Sequence, residues 1–278
     1  MDQLLASPEI QAGVIPFIVA ALWAFALRPA GWYLSGIALI LGFAVCVHLI
    51  HFVPGWELTP ITSSSRKLII VALAAPLVGI LFDILSFLGR SRVALAALAG
   101  GGAIVWVFWS IFKQQEGIKL LQFVAASALY VAWFAGGFAT LRERGLRASG
   151  AAVALGFGVG LSALFGASAA YGQMGIAIGA AAGGIWLAGL PSQAARIGAV
   201  MLLPAAVISG MLAVGGVLLA KVPWMSLLPL LAIPLVAHMP LPRSLPRWLD
   251  GGIATLFMLA VAASSVFMVY RIEGGIPL

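Results

Sequence analysis

Apolar residues run along this chain in ten stretches of about 18 to 24 residues, separated by short polar or proline-containing breaks. They cover about 10–27, 31–52, 67–89, 93–112, 118–141, 148–170, 173–190, 196–219, 223–240 and 249–270. A helix rises about 1.5 Å per residue, so roughly 20 apolar residues cross the ~30 Å hydrocarbon core of a bilayer. The pattern predicts an all-α, polytopic transmembrane helical bundle of about ten helices with short loops and no soluble domain. All 278 residues then form a single integral membrane domain.

The breaks are built from helix-stopping residues. Arg28-Pro29-Ala30-Gly31, Gly89-Arg90-Ser91-Arg92, Arg142-Glu143-Arg144-Gly145, Pro191-Ser192-Gln193 and the stretch Pro240 to Pro246 combine proline or glycine with polar residues. The weakest break is Tyr171-Gly172-Gln173, which has no charge; without it the count falls to nine. The longest connection, Val53 to Ser65, is polar and proline-containing and is expected to be an external loop.

Composition agrees with the pattern. Charged residues make up 8% and hydrophobic ones 63%, with a mean hydropathy of +1.14. Soluble domains carry about 25% charged residues, because charge covers a water-facing surface. The formal net charge of +7 is scattered between apolar runs. It makes no basic stripe of the kind that tracks a phosphate backbone, so no nucleic-acid partner is expected. Lys and Arg concentrate on the cytoplasmic side of membrane proteins. Nine lie in or beside connections after odd-numbered runs (Arg28, Arg90, Arg92, Arg142, Arg144, Arg147, Arg196, Arg243, Arg247) and six on the other side. The imbalance predicts odd connections in the cytoplasm and both termini outside, in a bacterial inner (plasma) membrane. Met1 to Gln11 contains Asp2 and Glu9 and no basic residue, unlike a secretory signal, so the first run is expected to stay as a helix. Cys46, the single cysteine, excludes an internal disulfide.

Glycine is abundant, with 33 residues. Gly175, Gly179 and Gly183 recur every fourth position in the seventh run, and Gly156 and Gly160 do so in the sixth. Small residues at this spacing let helix backbones approach where lipid gives no hydrophobic drive to associate. The two runs are expected to pack as a tight antiparallel pair, or to offer an oligomer contact. Pro76 and Pro204 fall inside the third and eighth runs, with Pro16 in the first and Pro229 and Pro234 in the ninth. Each removes a helix hydrogen bond and invites a kink or cavity. Division into halves 1–145 and 146–278 puts Pro76 and Pro204 in corresponding helices of opposite direction, a pattern found in transporters built from inverted repeats.

Intramembrane ionisable residues are few, and such residues are functional candidates by default. Asp83 is the one carboxylate well inside an apolar run. Seven residues before Arg90 and on the same face, it is either a coupling site or an Asp paired with an Arg near the interface. His48 and His51, three apart, share a helix face and suit a metal or a proton relay, although no third ligand lies nearby. His238 falls at the opposite side of the expected bundle, which disfavours a bis-histidine haem. No cofactor or metal is expected, and no HExxH, GxSxG or P-loop motif occurs.

Three classes of function fit. The first is a small-molecule permease or exporter for a neutral or lipid-like substrate, with a polar-lined cavity between the third and eighth helices. The second is a non-catalytic scaffold, assembly factor or accessory subunit, with a filled core, an apolar outer groove and a membrane-protein partner or second copy beside it. The third is a lipid-acting enzyme, which would gather His48, His51, Glu57 and Arg66 at one pocket. In every case the bilayer itself is the first partner.

Overall fold

The computed structural model describes residues 7–31, 34, 36–50, 52, 61–85, 89, 91–166, 168–191, 196–220, 222–242 and 244–273. His51, Glu57 and Arg90 lie outside the described residues. Among the described residues there is no strand, and ten helical segments follow one another. They are α1 (Ile10–Ala30), α2 (Gly36–Leu49), α3 (Ser64–Ile84), α4 (Ser91–Phe112), α5 (Gly117–Ala139), α6 (Gly145–Phe165), α7 (Ala169–Gly189), α8 (Ala199–Leu219), α9 (Trp224–Ala237) and α10 (Arg247–Glu273). Seven of them, α1, α3, α4, α5, α6, α8 and α10, are long and apolar enough to cross a membrane. α2 and α9 are shorter apolar helices.

Local chemistry explains the ends and irregularities. α1 opens as a π turn at Ile10–Val14, and Pro16 falls in the first turn of the α-helical part that follows. A proline is tolerated there because its missing N–H would have no partner in an α-helical first turn. α1 closes at Gly31, whose φ of 109° suits a residue without Cβ. α3 begins earlier than the apolar run, because the Ser63 side chain accepts a hydrogen bond from the Arg66 backbone N–H at 3.3 Å. α9 is uneven, passing from α-helix to a 3-10 turn at Leu228–Ala232 and back, with Pro229 and Pro234 opening the two later pieces.

The turn between α6 and α7 lies earlier than expected. α6 ends at Phe165 and α7 begins at Ala169, so Tyr171-Gly172-Gln173 belongs to α7. Gly172 is needed for packing and not for turning: a Cβ there would stand 2.6 Å from the Leu164 Cδ2 of α6.

α8 is the axis of the bundle, packed by α2, α3, α4, α5, α6 and α7. Its positions from Val200 to Gly216 are buried without a gap. α6 and α7 form the closest pair, with α10 laid on α6, α1 on α7, and α4 on α5. α6, α7 and α8 thus make an inner layer. The outer helices turn large apolar side chains outward, including Leu22, Leu77, Leu98, Leu129 and Leu256, each more than 60% exposed.

The inner pair owes its closeness to glycine. A Cβ on Gly160 would stand 2.5 Å from the Ile176 backbone N, one on Gly175 2.5 Å from the Gly160 Cα, and one on Gly156 2.7 Å from the Gly179 Cα. A Cβ on Gly179 would meet the Phe157 backbone N at 2.9 Å. Gly183 differs: its nearest neighbour is the Phe17 ring of α1 at 3.6 Å, an ordinary contact. The stripe therefore serves the α6–α7 contact for two of its three members.

Candidate functional site: a charged junction between two cavities

Polar chemistry gathers at the end of the bundle that carries the connections after odd-numbered helices. Its centre is the α5–α6 connection with the first turn of α6, residues 140–147. Three ion pairs are present among the described residues, and each takes one partner from this segment.

Asp83, in the last turn of α3, receives the Arg142 guanidinium at 3.0 Å. Its two oxygens also accept the backbone N–H groups of Ala199 at 3.1 Å and Val200 at 3.4 Å. The carboxylate thus caps the first turn of α8 from a neighbouring helix, where orphan N–H groups and the positive dipole end favour an anion. The approach is close because a Cβ on Gly79, one turn earlier, would stand 2.5 Å from the Val200 Cα. Gly36 of α2 presses on the same Val200–Met201 backbone. The Arg142 carbonyl accepts the Ile197 N–H at 3.0 Å, which ties the α5–α6 connection to the entry of α8 a second time. Asp83, Arg142 and Arg196 line a cavity of about 440 Å³ with the apolar Leu34, Ile80 and Ile197.

Arg147, in the first turn of α6, is 6% exposed. It forms a two-pronged ion pair with Asp250 in the first turn of α10. One Nη donates to the carbonyls of Ala237 at 3.1 Å and Met239 at 2.7 Å, where α9 ends. A planar guanidinium with several donors in one fork suits such a buried junction. Arg144 donates a longer hydrogen bond of 3.5 Å to the Ala237 carbonyl. The Glu143–Arg196 pair, exposed on both sides, separates this region from the Asp83 cavity. A second cavity of about 450 Å³ opens here, lined among others by Arg144, Arg147, His238, Arg247 and Asp250. His238 is held by the Pro234 carbonyl, 2.8 Å from Nδ1, and by the Thr140 Oγ1, 3.1 Å from Nε2.

The expected candidates are scattered. His48 is exposed in the last turn of α2, at the end away from His238. Arg66 stands at the start of α3. Among the described residues no three of His, Cys, Asp and Glu gather as metal ligands. Pro76 and Pro204 are buried in α3 and α8, which pack against each other. Beside them, Val71, Ala75, Val78, Leu98, Leu203 and Val207 contribute to a cavity of about 380 Å³ whose lining is apolar. Further polar contacts inside the bundle are small: Ser162 and Ser265 share a hydrogen bond of 3.3 Å, and Ser265 donates to the Ser226 carbonyl at 2.6 Å.

From sequence Arg147 enters only through the charge count and Asp250 not at all, and the two lie 103 residues apart. The one signal was density: Arg142, Arg144 and Arg147 fall within six positions, more than orientation in a bilayer requires. No family model matches the sequence, and no curated protein matches it.

Proposed function

We propose that the chain is a multi-pass integral membrane protein of ten crossings, with the charged junction in the cytoplasm and both termini outside. We further propose that it acts as a non-catalytic scaffold or accessory subunit of a membrane assembly. The observation that carries this is α8. Seventeen consecutive positions, Val200–Gly216, are buried, which covers every face over more than four turns. A helix apolar all round belongs in a solid core. Phe108, Phe134, Val131 and Ile104 fill the space towards α4 and α5, where a solute path would need room. The cavity against Pro76 and Pro204 is apolar and lined by Leu98, which is 71% exposed, so it faces outward. These features support a rigid body that meets its neighbours through its sides.

The position of that groove beside two helix prolines favours a second reading, a permease for a lipid-like substrate moving along α3 and α8. Substituted-cysteine labelling separates the two in a Cys46→Ala background. Ser209→Cys and Ala205→Cys should resist small water-soluble thiol reagents from both sides, while Thr62→Cys reacts. Labelling at Ser209→Cys would place water at mid-bilayer beside α8 and end the scaffold reading.

A further inference from the structure

We propose that the apolar groove between α3 and α4 holds an acyl chain of an anionic phospholipid whose headgroup meets Lys67.

The groove exists because α3 and α4 turn to different neighbours. α3 packs mainly on α8 and α4 mainly on α5, so the two touch little and leave a gap over α8. The α8 side chains Leu203 and Val207 form the floor of the 380 Å³ cavity, while Leu98 and Trp106 of α4 are 71% and 43% exposed along its wall. Gly102 lies in the same wall, and a Cβ there would meet no atom within 4 Å. The two glycines before it differ. A Cβ on Gly100 would stand 2.9 Å from the Ala135 Cβ, and one on Gly101 3.2 Å from the Ala128 carbonyl oxygen. Two of three consecutive glycines thus serve the contact with α5, and the third borders open space.

The groove has the reach of one leaflet. On α3, Lys67, Val71, Ala75 and Val78 follow at steps of three or four and share one face. The rise from Lys67 to Val78 is about 16 Å, against about 15 Å for half of a ~30 Å hydrocarbon core. An extended acyl chain suits that length. A helix does not fit inside, because a cylinder about 10 Å across fills roughly 800 Å³ over the rise from Val71 to Val78, about twice the volume present.

Charge at the outer rim selects the lipid. The Lys67 ammonium donates to the Trp106 carbonyl at 3.3 Å and lies 5.5 Å from the Trp106 ring centre, so it stands where the groove begins. It belongs to none of the three ion pairs among the described residues. One carbonyl occupies one of its three donors. Among the described residues at this end of α3, α4 and α5, Lys67, Lys113 and Lys119 stand against one carboxylate, Glu116; Arg66 has a contact of its own and does not enter this balance. A lysine in the first turn of a membrane helix carries its charge to headgroup depth, where a phosphodiester oxygen accepts from it. The inference rests on the membrane reading above. A chain that stays folded and monodisperse without detergent would fail that reading before any lipid is added, so the two failures are distinguishable.

The test uses the full chain in phosphatidylcholine bilayers containing phosphatidylglycerol with a photoactivatable diazirine in mid-chain. Peptide mapping after illumination locates the attached lipid. Attachment should concentrate on residues 71–78 and 98–106. Unlabelled phosphatidylglycerol should displace it about fivefold more effectively than unlabelled phosphatidylcholine, as expected for one cation near the bilayer surface. Lys67→Gln should abolish that difference. Gly102→Phe, whose ring enters open space, should remove attachment in the groove. Attachment at the second apolar cavity, about 550 Å³ between Phe157 of α6 and Phe267 of α10, should stay unchanged in both variants. Unchanged thermal unfolding of each shows that the fold is intact. Equal displacement by the two lipids overturns the proposal, as does selectivity that survives Lys67→Gln or attachment that survives Gly102→Phe. Dimeric chains with no lipid attached along the groove overturn it too, and give the groove to a second copy.

Discussion

Removing the Asp83 carboxylate should loosen the bundle axis by an amount that the structure allows to be worked out. Asp83→Ala deletes two acceptors for the α8 N-terminus, at 3.1 and 3.4 Å, and strands Arg142, whose side chain is 26% exposed. Loss of a helix N-cap costs about 1 kcal/mol. Loss of a charge-assisted bond at a partly buried site costs about 1–2 kcal/mol more. The sum is ~2–3 kcal/mol. Asp83→Asn keeps one side-chain oxygen to accept from Ala199 but gives up the charge, so about half of that loss is expected. Reversible unfolding in mixed micelles, followed through the nine tryptophans, reads both values. A cycle with Arg142→Ala isolates the pair, since residues in direct contact couple by roughly 0.5–3 kcal/mol. If Asp83→Ala unfolds within ~0.5 kcal/mol of the parent, the carboxylate is no cap and the reasoning fails. Proton-coupled uptake that vanishes in Asp83→Asn at unchanged stability would point instead to a coupling site.

Other substitutions separate the roles of neighbouring residues. Gly160→Ala puts a methyl 2.5 Å from the Ile176 backbone N and should destabilise by ~1–3 kcal/mol. Gly183→Ala, with its nearest neighbour at 3.6 Å, should be neutral to within ~1 kcal/mol; equal losses at both sites would refute the close α6–α7 contact. Arg147→Met leaves Asp250 and two carbonyls without their donor and should cost about 3 kcal/mol in the same unfolding assay. Arg147→Met with Asp250→Leu should recover part of that loss, and a double variant weaker than the single one would contradict a dominant ion-pair role. Thr62→Cys and Ser91→Cys should be labelled from opposite sides of the membrane, and labelling from one side removes the proposed topology.

Much of the fold was legible because lipid and helix length impose one coarse rule on the chain. The run at 93–112 and the helix Ser91–Phe112 differ by two residues, and Arg92, which bonds the Gly89 carbonyl at 3.3 Å, marks the boundary in both. Boundaries slipped where one residue type can do two jobs. Serines 63 and 64 resemble loop yet start α3, and Gly172 resembles a turn yet seats α7 against Leu164. The site was less legible. Helix periodicity reports neighbours three, four or seven positions away, so it offered Arg90 as the partner of Asp83. The pairing with Arg142 joins residues 59 positions apart, and only tertiary packing decides it. The same holds for Arg147 and Asp250. Gly183 carries the spacing of its stripe without the contact, because α7 turns that position towards α1.

The placement of charge also bears on what the protein can do. Arg142 fastens α3 and the entry of α8, Glu143 meets Arg196 ahead of α8, and Arg147 fastens α10 and the end of α9. One six-residue segment therefore ties early and late helices together at a single face. A rocking transporter needs its gates to separate at each end in turn, and here separation would break the buried Arg147 junction, a cost of several kcal/mol with no compensating contact in view. At the far end Lys67 reaches the Trp106 carbonyl at 3.3 Å, and Ser64 meets Ser110 at 3.4 Å. The charged face should stay closed, because opening it would part the Arg142, Glu143 and Arg147 pairs together.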